Sequence, residues 1–193
     1  AMNEELELFR ENVKRFLSEE VIPHYEQWEK AEIFPRELWN KFGEQGLLAV
    51  DIPEQYGGFG TDFLFSMVIQ EEFAKANCGS VGGPMAVHSD IVAHYVLNQG
   101  TEQQKQRYLP KMVSGECVGA VAMTEPGTGS DLQGVRTTAK RDGDDYLING
   151  SKTFITNGQH CDMVIVVART NLEVPGSKGT TLFMVDTDTP GFQ

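Results

Sequence analysis

The sequence predicts an α+β fold, with an all-α helical domain over residues 1–116 followed by an incomplete antiparallel β-barrel or sandwich domain over residues 117–193. In the first part, apolar residues recur every three to four positions, which is the spacing of one helix face. After Gly115 the period falls to two, which is typical of half-buried strands. Asp-Gly and Asn-Gly turns between successive strands favour an antiparallel arrangement.

Five helical segments are predicted in the first domain, and each has an apolar face or a capping signal. Pro23 is expected to end the first helix, and Pro35 suits the first turn of the second. Thr101 with Gln104 three positions later forms a capping box for the fifth. The predicted segments cover residues 6–23, 35–46, 61–77, 81–97 and 101–108. The fourth carries little charge on any face, so we expect it to be buried.

Strands are predicted throughout the second domain from apolar runs and alternation. The run 118–122 is typical of a short buried strand, and 142–144 (Asp-Gly-Asp) of a hairpin turn between two alternating segments. The further strands are predicted over residues 135–139, 146–148, 163–167 and 180–185.

Composition and charge exclude several classes of function. The 193 residues carry a net charge of −12, which argues against a nucleic-acid partner because such binding depends on clustered Lys and Arg. The three cysteines show no metal-ligand spacing and are expected to be free thiols in a reducing compartment, so no metal site is predicted. No run of 18 apolar residues occurs, which predicts a soluble protein without a membrane span.

The segment 123–131 (Met-Thr-Glu-Pro-Gly-Thr-Gly-Ser-Asp) carries the strongest functional signal. Gly127 and Gly129 are expected to allow positive φ and a close approach of main-chain N–H groups to a ligand. Ser130 adds a hydroxyl donor, and Asp131 is expected to brace the loop through its backbone. The segment lacks the Gly-Lys-Ser/Thr of a P-loop and the spacing of a dinucleotide fingerprint. Taken alone, it is equally an ordinary turn.

A second cluster of glycines and hydroxyls spans 149–158 (Asn-Gly-Ser-Lys-Thr-Phe-Ile-Thr-Asn-Gly). Alone, it is typical of a strand end with core residues Phe154 and Ile155 and a hairpin turn. Together with 123–131, it suggests two turns that converge on one ligand.

At these residues the chain resembles the acyl-CoA dehydrogenase family. Segment 121–131 is similar to the family's flavin signature, and 149–158 to its second flavin-contacting strand and turn. The loop 53–58 (Pro-Glu-Gln-Tyr-Gly-Gly) and the segment 107–116 are two further landmarks in the same order. The resemblance covers essentially the whole chain and implies FAD as cofactor.

The resemblance also implies roles for individual residues. Groups from residues 121–124 would face the pyrimidine edge of the flavin, and Thr156 would form a hydrogen bond near the flavin N5 atom. Phe154 would lie against the face of the flavin ring, at a position where many family members have Trp. The implied cofactor-binding residues are Val121, Ala122, Met123, Thr124, Gly129, Ser130, Phe154, Ile155 and Thr156. Those implied for the substrate are Ser130, Ser177 and Lys178. For Ser177 and Lys178, a solvated hairpin tip is an equal alternative.

The reaction that the resemblance implies is dehydrogenation of an acyl-CoA to the trans-2-enoyl-CoA, with hydride transfer to FAD. The family's base is a Glu in a C-terminal helical domain, so no catalytic residue is assigned here and the chain is expected to be a fragment, inactive by itself. The resemblance further implies an electron-transferring flavoprotein as acceptor, a homotetramer, and a cytoplasmic location in bacteria or the mitochondrial matrix in eukaryotes. An acyl-CoA oxidase, a flavin monooxygenase of the same fold and a non-catalytic acyl-CoA-binding relative remain alternatives.

Overall fold

A computed structural model of the protein describes residues 4–193. These residues divide into two compact units, of which the first ends at Val118 and the second is Gly119–Gln193. The first unit is helical and the second contains a sheet, which confirms the α+β class. No helix among the described residues is long and apolar enough to cross a membrane.

Helices occupy all five predicted segments of the helical unit, and the second helix extends beyond the predicted end of the first segment. Its α-helices are Glu4–Phe16 (α1), Ile22–Ala31 (α2), Leu38–Glu44 (α3), Phe63–Lys75 (α4), Gly79–Ala86 (α5), Ala93–Gln99 (α6) and Glu102–Ser114 (α7). The capping box is present, because Thr101 Oγ1 accepts from the Gln104 amide and Gln104 Oε1 accepts from the Thr101 amide. Asp62 caps α4 through the Leu64 amide.

The expectation that Pro23 ends the first helix is wrong. A π-helical turn, Leu17–Val21, follows α1 and leads directly into α2. Pro23 is the second residue of α2 and follows the π-helical turn, so the helix continues past a residue that has no N–H to donate. A second π-helical turn, Val87–Val92, joins α5 to α6 in the same way.

The core of the helical unit is rich in aromatic rings. Phe42 is fully buried and packs against Trp39, Phe16 and Phe73 with centroid separations of 5.4–6.3 Å. Trp39 is also fully buried, and its ring lies 5.1 Å from that of His88. Because aromatic side chains bury large apolar areas, this cluster dominates the stability of the unit.

Helices α3 and α7 approach closely at Gly43, which gives a testable packing prediction. A Cβ at Gly43 would lie 2.1 Å from the Ser114 carbonyl oxygen. We expect Gly43→Ala to lower the free energy of unfolding by about 1–3 kcal/mol, because the backbones would have to separate. Gly83 in α5 has no atom within 4 Å of such a Cβ. Gly83→Ala is the matched control in urea denaturation, and an equal loss in both variants would contradict the packing explanation.

The second unit is built on a five-stranded mixed sheet. Its strands are Gly119–Ala122 (β1), Thr138–Asp142 (β2), Asp145–Asn149 (β3), Met163–Arg169 (β4) and Thr180–Asp186 (β5). Strand β4 pairs antiparallel with β5 and parallel with β1. Strands β2 and β3 form the predicted hairpin at Gly143, and β2 reaches β4 through the parallel pair Thr138 and Arg169.

The sheet therefore differs from the predicted all-antiparallel pairing. Strand β1 runs parallel to β4, and residues 123–162 between them are enough for the crossover connection that a parallel pair needs. That connection carries the β2–β3 hairpin and both of the glycine-rich segments identified in the sequence. Strand β4 is buried over Met163–Ala168 and packs with β1, as Ala120, Ala122, Val164 and Val166 form one apolar cluster. The end of β1 is thus fixed on a well-packed strand, whereas β3 joins the sheet through β2.

Candidate functional site

The two glycine-rich segments lie next to each other, as the sequence predicts. The Thr153 amide donates to the Thr124 carbonyl over 3.0 Å. Lys152 Nζ donates to the Met123 carbonyl over 3.1 Å. Asn157 Nδ2 donates to the Gly119 carbonyl over 3.1 Å, which fixes the second turn against the start of β1. Hydrogen bonds from Lys152, Thr153 and Asn157 therefore join the segment after β3 to β1 and to the segment that follows β1.

The turn after β1 is closed by its own main chain. Glu125 and Thr128 exchange N–H···O bonds of 2.9 and 3.0 Å, and Thr128 Oγ1 donates to the Gly134 carbonyl. The expectation of positive φ at Gly127 and Gly129 is wrong, since neither adopts it. Apart from the adjacent residues, no described heavy atom would lie within 4 Å of a Cβ at either glycine. These glycines therefore leave an open surface rather than supplying an unusual backbone conformation.

Glu125 is the residue that braces this turn. It is 6% exposed, and its Oε1 accepts from the Thr137 amide, the Thr137 hydroxyl and Lys152 Nζ at 2.6–2.9 Å. Its Oε2 accepts from the Arg136 amide over 2.7 Å. Burial alone would raise the pKa of Glu125, but the hydrogen bonds from Thr137, Arg136 and Lys152 lower it to about 2. The carboxylate therefore stays ionised and holds three chain segments together.

The bracing role that the sequence suggested for Asp131 is wrong. Asp131 is exposed, its side chain makes no capping hydrogen bond, and its carbonyl accepts from the Gly134 amide over 3.1 Å. No role for Glu125 was predicted from the sequence. The available signal was its position directly after a buried strand, where an acid requires several donors.

Phe154 has the most unusual conformation in the second segment. Its side chain is 93% exposed, and its φ of 55° lies in the left-handed region that bulky residues rarely adopt. The next residue, Ile155, packs on the buried cluster of β1 and β4. The Thr153 amide is held by Thr124 on the other side. An exposed ring in a strained backbone conformation, fixed on both sides, is typical of a binding surface.

Two main-chain donors near Phe154 have no acceptor in the part of the chain that the structure describes. Within residues 4–193, the amides of Met123 and Thr124 make no hydrogen bond to the protein, although the carbonyl groups of both residues do. The hydroxyl-bearing residues Ser130 and Thr156 are exposed. The surface thus offers a flat apolar ring and unused N–H donors, which together suit a planar, electron-rich heterocycle.

Ser177 and Lys178 lie in the short 3₁₀ turn Gly176–Gly179 before β5. Both side chains are exposed. A Cβ at Gly176, whose φ is 37°, would lie 2.8 Å from the Gln133 side chain, so this turn packs against the segment that follows Ser130. The roles of Ser130, Ser177 and Lys178 in substrate binding remain predictions.

Comparisons with known proteins identify the family. The model of the acyl-CoA dehydrogenase N-terminal domain matches residues 3–116, and that of the acyl-CoA dehydrogenase middle domain matches residues 120–193. The chain belongs to the acyl-CoA dehydrogenase family. It is 53% identical over 189 residues to the long-chain specific acyl-CoA dehydrogenase of Rattus norvegicus, covering 97% of this chain and 44% of that protein.

Solved structures of acyl-CoA dehydrogenases are also similar to this chain. The enzyme from Geobacillus kaustophilus superposes with a TM-score of 0.94 at 48% identity over 98% of this chain and 50% of that one. A glutaryl-CoA dehydrogenase from Mycobacterium smegmatis in complex with FADH2 gives a TM-score of 0.90 at 31% identity, covering all of this chain and 48% of that one. The chain spans about half the length of the proteins it matches.

The residues present fit a flavin. The unused amides of Met123 and Thr124 are suited to the electronegative pyrimidine edge, and the Phe154 ring to the face of the isoalloxazine. Ser130 and Thr156 add exposed hydroxyl groups within the same two segments. Among the described residues, no group of three or more His, Cys, Asp or Glu side chains is placed to hold a metal ion.

Proposed function

We propose that the protein containing this chain binds FAD and catalyses the α,β-dehydrogenation of an acyl-CoA thioester. The single observation that carries the proposal is Phe154, an almost fully exposed ring at φ 55°, beside two main-chain amides that have no acceptor among residues 4–193. Residues 121–124 with Gly129 and Ser130 form one part of the flavin site, and residues 154–156 the other. FAD supplies the hydride acceptor when bound.

The residues of this chain are proposed to bind and orient the flavin and the substrate, and not to remove the substrate proton. Glu125 is the buried acid nearest to the proposed flavin surface, but its oxygens accept four hydrogen bonds and its pKa is about 2. A base matched to neutral pH needs a much higher pKa. We therefore assign the general base to a part of the protein outside the described residues. Ser130, Ser177 and Lys178 are proposed to contact the CoA moiety, where Lys178 would act as a point charge on a phosphate.

The partners and the cellular location are proposed from membership of the acyl-CoA dehydrogenase family. The proposed electron acceptor is an electron-transferring flavoprotein, and the proposed assembly is a homotetramer. The proposed location is the cytoplasm of a bacterium or the mitochondrial matrix of a eukaryote.

Anaerobic reduction by substrate tests the proposed function. We expect the full-length gene product to purify with bound flavin whose visible absorbance is bleached by a saturated acyl-CoA, with one enoyl-CoA formed per flavin. Reoxidation in air should then be slow. Rapid release of peroxide would identify an oxidase instead. A protein that neither contains flavin nor takes up added FAD would contradict the proposal.

A further inference from the structure

Lys152 makes an unusual pair of contacts within the β unit. Its side chain is 10% exposed, and Nζ donates both to Glu125 Oε1 over 2.9 Å and to the Met123 carbonyl over 3.1 Å. The Met123 carbonyl belongs to the same peptide group as the Thr124 N–H. That N–H has no protein acceptor within the described chain. The largely buried ammonium group of Lys152 thus bonds the carbonyl oxygen of a peptide group whose N–H has no acceptor among the described residues.

A charge-assisted hydrogen bond to a carbonyl polarises the whole peptide group. Chains of hydrogen bonds strengthen one another in a low-dielectric interior, by about 10–30% per bond. The bond from Lys152 therefore makes the Thr124 N–H a stronger donor. Glu125 balances the charge of Lys152 and holds its ammonium group in place, so the effect reaches Thr124 through the peptide rather than through net charge.

We propose that Lys152 is a positioning residue that strengthens the Thr124 amide toward the reduced flavin and so raises the reduction potential of the bound cofactor. This inference rests on the proposed function, since it assumes that the Thr124 amide faces the pyrimidine edge. Negative charge accumulates at that edge when the flavin accepts two electrons. A stronger donor therefore binds the reduced form more tightly than the oxidised form.

The test is the two-electron reduction potential of FAD bound to the full-length protein, titrated against a reference dye. We expect Lys152→Met to weaken the binding of reduced relative to oxidised FAD by about tenfold, which lowers the potential of a two-electron couple by about 30 mV. Lys140 is an exposed lysine on β2 and provides the matched charge control. Lys140→Met should leave the potential unchanged.

A double variant separates the polarisation of the Thr124 amide from the effects of net charge and of protein stability. Lys152→Met alone leaves Glu125 as a buried charge without its cation, so the protein is less stable and carries an extra negative charge near the flavin. Glu125→Gln/Lys152→Met removes both charges and is expected to recover most of the melting temperature. Its potential should lie between those of the wild type and Lys152→Met, because the bond to the Met123 carbonyl is still missing.

The outcomes distinguish this inference from the proposed function. A double variant with wild-type potential would overturn the inference, because net charge alone would then explain the single variant. Equal weakening of oxidised and reduced FAD in Lys152→Met would also overturn it, since that is the effect of a purely structural residue. If the wild-type protein binds no FAD, the proposed function fails and the inference fails with it.

Discussion

Replacing Glu125 with alanine is expected to lower the free energy of unfolding by roughly 3–5 kcal/mol, the cost of removing one partner from a buried ion pair. The substitution leaves Lys152 buried at 10% exposure and removes the acceptor of the Thr137 and Arg136 amides. Urea denaturation of the full-length protein measures the loss. Glu173, an exposed acid between β4 and β5, provides the control, and Glu173→Ala should change the stability by less than about 0.5 kcal/mol.

The same carboxylate gives a signed dependence on pH. The pKa of Glu125 falls from 4.5 to about 2 on folding. A depressed pKa stabilises the fold fully above the unfolded-state value, and this stabilisation is lost as the pH falls from about 4.5 toward 2. The depression corresponds to on the order of 3 kcal/mol. Glu125→Gln should remove most of this loss in the free energy of unfolding between pH 5 and pH 2. An unchanged pH dependence would show that other carboxylates cause the acid sensitivity.

Replacing Phe154 with glycine is expected to affect stability and cofactor binding in opposite directions. At a φ of 55°, glycine relieves a strain of about 1–2 kcal/mol, although its greater flexibility in the unfolded chain offsets part of this gain. Because the ring is 93% exposed, its removal loses almost no packing within the chain. The loss of an aromatic face should weaken FAD binding about tenfold. Melting temperature and FAD titration of the apoprotein measure the two effects.

The control for this substitution is an exposed apolar residue at an ordinary backbone position. Leu172, in the loop after β4, is 62% exposed, and Leu172→Ala should leave FAD binding unchanged. If Phe154→Gly binds FAD as tightly as the wild type, the ring does not contact the flavin. A large loss of stability in Phe154→Gly would instead assign the ring a structural role.

Local signals in the sequence determine most of the helical unit. The Thr101–Gln104 pair caps α7 where predicted, because capping depends only on residues a few positions apart. Helix α4, capped by Asp62, lies within the predicted segment 61–77. The continuation of the helix through Pro23 escaped prediction, since it depends on a π-helical turn that no local pattern specifies. The parallel pairing of β1 with β4 escaped it too, because pairing across 40 intervening residues is decided by packing rather than by turn chemistry.

The location of the candidate site could be predicted from the sequence, but the interactions that hold its segments in place could not. The proximity of the two glycine-rich segments could be inferred because both follow strands of one small domain and share a composition suited to one ligand. Their connection through Glu125 and Lys152 could not, since a pairing of charges 27 positions apart has no sequence period. The exposure of Phe154 could not be predicted from the residue pattern either, because Phe followed by Ile in a strand-like run normally indicates core residues.

A structure of the full-length protein with FAD bound tests the central claim most directly. We predict that the flavin ring lies against Phe154, with its pyrimidine edge within about 3 Å of the amides of Met123 and Thr124. Ser130 should lie near the pyrophosphate, and Lys152 should still bond both Glu125 and the Met123 carbonyl. A flavin bound elsewhere on the protein, with Phe154 exposed and both amides still without acceptors, would contradict the claim.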